Sequence, residues 1–267
     1  MGTALKELIG FLEEVAPLHL QESYDNAGLI IGDDEMIVSG VIVALDSIEA
    51  VVDEAIEMNC NVIIAHHPIV FSGLKKITGA NYIQRTILKA IKNDIAIYAI
   101  HTNLDNVLRN GVNEKIAQKI GLENLKLLSP KEDFSSEKYT VGSGIVGTLP
   151  NSTDVMSFLS DLKVKMELNT IKHTGIVKNK VQKIAVCGGS GGFLLNKAIK
   201  EEADVFITAD YKYHEYFDAN NKIMVADIGH YESERFTIDL LHGLITNKFR
   251  KFAAHYTKIN TNPINYF

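Results

Sequence analysis

The sequence predicts an α/β protein of two interleaved lobes with mainly parallel sheets. Three observations predict it. Short β-branched runs alternate with stretches of helical apolar spacing, the pattern of parallel strands covered by helices. These runs are too many for one small sheet, and residues 129–140, SPKEDFSSEKYT, break the pattern with a polar, loop-like stretch. The segment GHYESE, late in the chain, must meet HHP and HTNLD across a long gap, so the chain is expected to return to its first lobe. The expected lobes are residues 1–128 with 232–267, and residues 129–231.

Each element has a local reason. Leu5, Leu8, Ile9, Leu12 and Val15 recur at helical spacing, and Pro17 ends that helix. GVIVAL at 40–45 is a buried strand. Asp46 and Glu49 then form a capping pair for a helix from about Ser47 to Met58. VIIA at 62–65 is the next strand, a helix follows at about 82–92, and IAIYAI at 95–100 is a strand. A further helix at about 112–120 stops at Gly121. Beyond the polar stretch come a strand at 144–148, a short helix at about 154–162 and the strand KIAVC at 183–187. The run Gly188–Gly192 (GGSGG) is expected to open a helix to about Glu202. Strands follow at 205–208 and 223–228, then one long helix from about Glu232 to Phe249 and an irregular tail, NTNPINYF.

Composition narrows the function classes. The 267 residues are 46% apolar and 22% charged, as expected of a chain with a sizeable core and no long disordered tract. A net charge of −6 argues against a general grip on nucleic acid or an anionic membrane surface. No apolar run approaches a membrane span. The first residues carry Glu7, Glu13 and Glu14 and no long apolar stretch, unlike a signal peptide. Cys60 and Cys187 are too few for a disulfide framework, so a reducing, cytoplasmic setting is expected. KNKVQK at 178–183 reads as a solvated face.

The reactive side chains gather at strand ends, where ligands bind in parallel sheets. VIIA runs into His66-His67-Pro68, IAIYAI into His101-Thr102-Asn103-Leu104-Asp105, and the strand at 223–228 into Gly229-His230-Tyr231-Glu232-Ser233-Glu234. Imidazole and carboxylate are the common ligands of zinc, iron and manganese. His66, His67, Asp105, His230 and Glu234 exceed the three protein ligands of one catalytic zinc and suit two ions sharing a carboxylate. Glu234 follows His230 by one helical turn, so its two oxygens can face different ions. The expected spacing of such a pair is about 3.5–4 Å. Each piece has a plainer reading: His66-His67 as a turn, His230 and Glu234 as a hydrogen bond along a helix, His101 and Asp105 as a helix cap. GGSGG reads as a tight turn or an anion contact, Cys60 and Cys187 as buried thiols, Asp210 and His214 as a cap with a surface imidazole or a second approach to the cleft, and YDNAG at 24–28 as a turn.

In order, YDNAGL, ALDS, IAHHPIVF, AIHTNLD, GGSGG, TADYKYHE and DIGHYESERF resemble the family known from a yeast Ngg1-interacting factor, over about residues 3–250. Its bacterial members carry the name GTP cyclohydrolase 1 type 2. The resemblance implies two interleaved α/β lobes, a dinuclear metal site between them and a toroidal homohexamer. It places His67, Asp105 and Glu234 on one divalent ion and His66, His230 and Glu234 on the other, with His101 beside the site. Tyr24 stands where Trp is usual, Ser47 where Thr is common and Ala209 where Gly is common. The implied activity is a metal-dependent hydrolase, as phosphoesterase or on GTP, giving formate and dihydroneopterin triphosphate. The other class is a non-catalytic metal-binding adaptor or regulator.

Overall fold

The computed structural model describes residues 2–267. It divides into two compact units, one containing the chain up to Leu104 with Thr237–Asn265, the other Asp105–Phe236 with Tyr266–Phe267.

In chain order, α1 (Leu5–Val15) buries Leu5, Leu8 and Leu12 on one face. Strands β1 (Gly28–Ile31) and β2 (Gly40–Ala44) follow, then α2 (Glu49–Glu57), β3 (Val62–Ala65), α3 (Tyr82–Lys92), β4 (Ala96–Ala99) and a single turn, α4 (Thr102–Asp105). The second unit continues with α5 (Val112–Ile120), β5 (Glu123–Pro130), β6 (Gly142–Asp154), α6 (Val155–Lys165), β7 (Lys172–His173) and β8 (Lys180–Ser190). It ends with α7 (Leu195–Lys200), β9 (Val205–Ala209), β10 (Met224–Asp227) and α8 (His230–Glu234). The chain then returns as α9 (Thr237–Lys248) and β11 (Ala253–Tyr256).

The first sheet has the order β1-β4-β3-β2-β11, parallel except for the antiparallel β1–β4 pair. Ile42, Ile63 and Ile97 from its strands pack with Val51, Val52, Ala55 and Ala90 from α2 and α3. Every residue of β2, β3 and β4 is buried, as expected of a parallel sheet covered on both faces. The second sheet, β5-β6-β8-β9-β10-β7, is parallel at β8-β9-β10 and antiparallel at its flanks. Phe206, Ala185 and Val225 pack there with Leu194, Leu195 and Ala198.

Four features differ from the sequence expectation. The change of unit falls at residue 104/105, not at 128, because β5 pairs along β6 and takes the preceding helix with it. Strands β5, β7 and β11 lack a β-branched apolar run, and β1 has only Leu29-Ile30-Ile31; pairing with a neighbour makes them strands. The long final helix is two, broken where the chain changes unit: Phe236 is buried in the second unit under Lys119 Nζ, 3.9 Å from its ring centroid, and Thr237 opens α9 in the first. Finally, α2 starts at Glu49 without a side-chain cap, since Asp46 is engaged elsewhere.

Candidate functional site

In the first unit, the β-ladder continues past β3. His66 N donates to Ala44 O at 3.2 Å and His67 N to Leu45 O at 2.9 Å. Both imidazoles therefore stand at the carboxyl end of the sheet, with His101 just beyond β4. The three rings have centroids 5.0, 5.2 and 5.3 Å apart. Their ligand atoms lie within 4.8 Å of one another, one of the groups of described residues that could hold a metal ion.

Each of these rings is fixed through Nδ1. His66 Nδ1 donates to Ile100 O at 2.8 Å. His67 Nδ1 bonds Asp46 Oδ1 at 2.8 Å, and His101 Nδ1 bonds Asp25 Oδ1 at 2.8 Å. An oxygen acceptor at Nδ1 holds the proton there and leaves the Nε2 lone pair for a metal, the usual support of a ligating histidine. Burial would raise the Asp25 carboxyl, but hydrogen bonds from His101 and Thr102 outweigh it and lower it to about 2. Asp46 is likewise lowered: burial opposes, and the bonds from His67 and Thr261 prevail.

The second unit repeats this support. His230 Nδ1 bonds Asp210 Oδ2 at 2.7 Å, and its Nε2 lies 3.0 Å from Glu234 Oε2, one helical turn on. The Glu234 side chain is only 3% exposed. Gly189, at the end of β8, makes that placement possible: a Cβ there would lie 2.3 Å from Glu234 Oε1 and 3.4 Å from His230 Cε1. Its φ of +61° also favours glycine. Ser233 ties α8 to β8, accepting from Gly189 N at 2.9 Å and donating to His230 O at 2.8 Å. Asn113 ties Asp105 to the same strand, donating to Asp105 O at 3.1 Å and accepting from Gly188 N at 2.9 Å. The Cys187 thiol is pushed up by burial and then by the charges of Asp105 and Glu234, so both carboxylates act on one buried spot. The grouped side chains offer nitrogen and oxygen donors, a set suited to zinc, iron or manganese.

The Duf34/NIF3 (NGG1p interacting factor 3) profile matches residues 3–263. The chain belongs to that family. A Clostridium acetobutylicum relative named "GTP cyclohydrolase 1 type 2 homolog" is 34% identical, covering 98% of this chain and 94% of its own length. One of the same name from Campylobacter jejuni is 31% identical over 98% and 99% of the two chains. Among solved structures, the Staphylococcus aureus hypothetical protein SA1388 superposes with a TM-score of 0.90 at 30% identity, covering both chains in full. A Bacillus cereus protein related to NIF3 does so with a TM-score of 0.90 at 26% identity, again covering both chains in full.

Within this family frame, the structure brings His66, His67 and His101 together in one unit, and His230, Glu234 and Asp105 around the end of β8 in the other. Sequence reasoning left open three features that the structure explains. GGSGG does two jobs: β8 runs to Ser190, Gly192 opens a helical turn (Gly192–Leu194) that leads into α7, and Gly188 and Gly189 leave space for Glu234 and His230. Asp210 faces His230, whereas His214 sits on an exposed aromatic turn with Tyr213 and Phe217. Asp25 in YDNAG is the acceptor for His101 and for Thr102 N at 3.0 Å, beyond a simple turn role. Sequence reasoning does not single out Asn113 and Ser233, and it places Asp46 only as a helix cap. Asp46 alone left a signal, a carboxylate at the end of a buried strand.

Proposed function

We propose that the protein is a dinuclear metal-dependent hydrolase, with His66, His67, Asp105, His230 and Glu234 as the ligands and Glu234 shared by both ions. The observation that supports it most is the common fixing of His66, His67 and His230 through Nδ1, which presents Nε2 as the donor on each ring. Two divalent ions held there, as zinc, iron or manganese, would lower the pKa of water and polarise a substrate oxygen. The protein's own groups bind and orient. Asp46 and Asp210 hold imidazole tautomers, the end of β8 seats Glu234, and His101, oriented by Asp25, carries a proton to or from Nε2 beside His66 and His67. Among the described residues, no helix is long and apolar enough to cross a membrane.

The relatives' shared name points to GTP as a substrate, opened at its imidazole ring to release formate. This reading includes a toroidal homohexamer in the cytoplasm. The test is metal analysis of purified protein, then turnover of GTP, phosphoesters and amides with formate and phosphate quantified. About two ions per chain and formate release from GTP, both lost in Glu234→Ala, are expected. Bound metal with no turnover would favour an adaptor or regulator. Light scattering that shows a monomer at micromolar concentration would overturn the hexamer.

A further inference from the structure

The last eight residues, NTNPINYF, form neither helix nor strand, yet they reach residues that support candidate ligands in both units. In the first unit, Thr261 Oγ1 donates to Asp46 Oδ2 at 2.5 Å, while the other oxygen of Asp46 takes His67 Nδ1 at 2.8 Å. Thr261 is buried although the tail around it is largely exposed. In the second unit, the Tyr266 hydroxyl and the carboxylate of Glu232, which is buried on α8 between His230 and Glu234, lie together against Gly229, where a Cβ would meet Glu232 Oε2 at 2.2 Å and the Tyr266 hydroxyl at 3.3 Å. Burial and the Glu232 charge push this phenol up, so it stays a donor. The intervening chain is stiff. Asn262 N donates to Asn260 Oδ1 and Ile264 N to Asn262 Oδ1, each at 3.0 Å, and Pro263 fixes its own φ.

A tail held only for stability needs no bond to the acceptor of a ligand's imidazole. We propose that the C-terminal octapeptide is a positioning strap for the metal site: Thr261 orients Asp46 and through it His67, and Tyr266 anchors Glu232 and the α8 turn that presents His230 and Glu234. The proposal rests on the metal reading above.

Two substitutions test it, Thr261→Val and Tyr266→Phe, because each removes one hydroxyl and little else. Zinc affinity is measured by chelator competition, melting temperature on the metal-free protein, and the histidine Nδ1–H signals by 15N NMR of that same form. Each variant should bind zinc about tenfold more weakly, the effect of losing an outer partner of a ligand, with the metal-free melting temperature unchanged. Thr261→Val should lose the His67 Nδ1–H signal and keep that of His66, and Thr261→Ser should restore it. Tyr266→Phe should broaden the His230 signal. Unchanged affinity with unchanged NMR signals overturns the strap. So does a fall in affinity matched by a fall in melting temperature, which marks a structural role. If the wild-type protein binds no metal, the hydrolase reading fails, and the metal-free NMR signals still decide the strap.

Discussion

Gly189 shows how one residue serves the site without chemistry of its own. A methyl group there meets the end of the Glu234 side chain at 2.3 Å, and that carboxylate is the part able to move. Gly189→Ala should therefore displace Glu234 and weaken metal binding at least tenfold. The cost to folding should stay near 1–2 kcal/mol, the usual penalty of a left-handed φ for alanine. Zinc titration and a urea melt of the same variant separate the two effects. Asp25 makes a different prediction. Its side chain is fully buried, and its carboxyl lies at about 2, below the ordinary 3.8. The native state thus binds the ionised form more tightly, by about 2 kcal/mol. This contribution is complete above about pH 4 and is lost as pH falls through about 2. Urea midpoints from pH 5 to pH 2 should show that acid limb, and Asp25→Asn should flatten it while lowering stability at neutral pH.

Strand β11 illustrates an element whose existence depends on a distant partner. Its sequence, AAHY, has no β-branched residue, and it pairs parallel to β2 at the sheet edge. Glu54 on α2 secures the chain beyond it. This buried carboxylate accepts from Lys258 N at 2.7 Å and Thr257 Oγ1 at 2.5 Å. Glu54→Ala leaves both donors without their acceptor and should cost about 2–3 kcal/mol. Hydrogen exchange should then show the amides of 253–258 opening ahead of β2 and β3. Equal protection of all three strands would show that β11 is held by its ladder alone. The same dependence on partners explains α8. Five residues are too few to form a helix in isolation, and its turn is held by the bonds of Ser233 to β8 and by the buried Glu232.

For the molecule as a whole, metal and fold should be linked. A ligand that binds only the native state stabilises it by RT ln(1 + [L]/Kd), about 2.7 kcal/mol at a hundredfold excess over Kd. Saturating zinc or manganese should raise the melting temperature by about 5–10 °C, and a chelator should reverse the rise. Because the candidate ligands sit at strand ends and not in the apolar clusters, the metal-free protein should still melt cooperatively. A chelated protein with no cooperative transition would make the site structural and weaken the hydrolase reading.

The apolar runs sufficed to locate β2, β3, β4, β8, β9 and β10, because fully buried parallel strands must be continuous in Val, Ile and Ala. Those same strands deliver the histidines at their ends, so the residues of the candidate site were legible before any coordinates. The long-range pairings were not. Strands β1, β5, β7 and β11 owe their conformation to neighbours, and the change of unit at 104/105 follows from β5 joining β6. The supporting shell was equally hidden. Asp46, placed by its sequence as a helix cap, turns to His67 because a carboxylate beside a half-buried imidazole gains more there than at an exposed helix start. GGSGG reads locally as a tight turn or an anion contact, and only the packing of α8 against β8 shows that Gly188 and Gly189 make room for a carboxylate. Local pattern records which side chains must leave water. Which polar groups then face one another is settled by contacts between residues far apart in the chain.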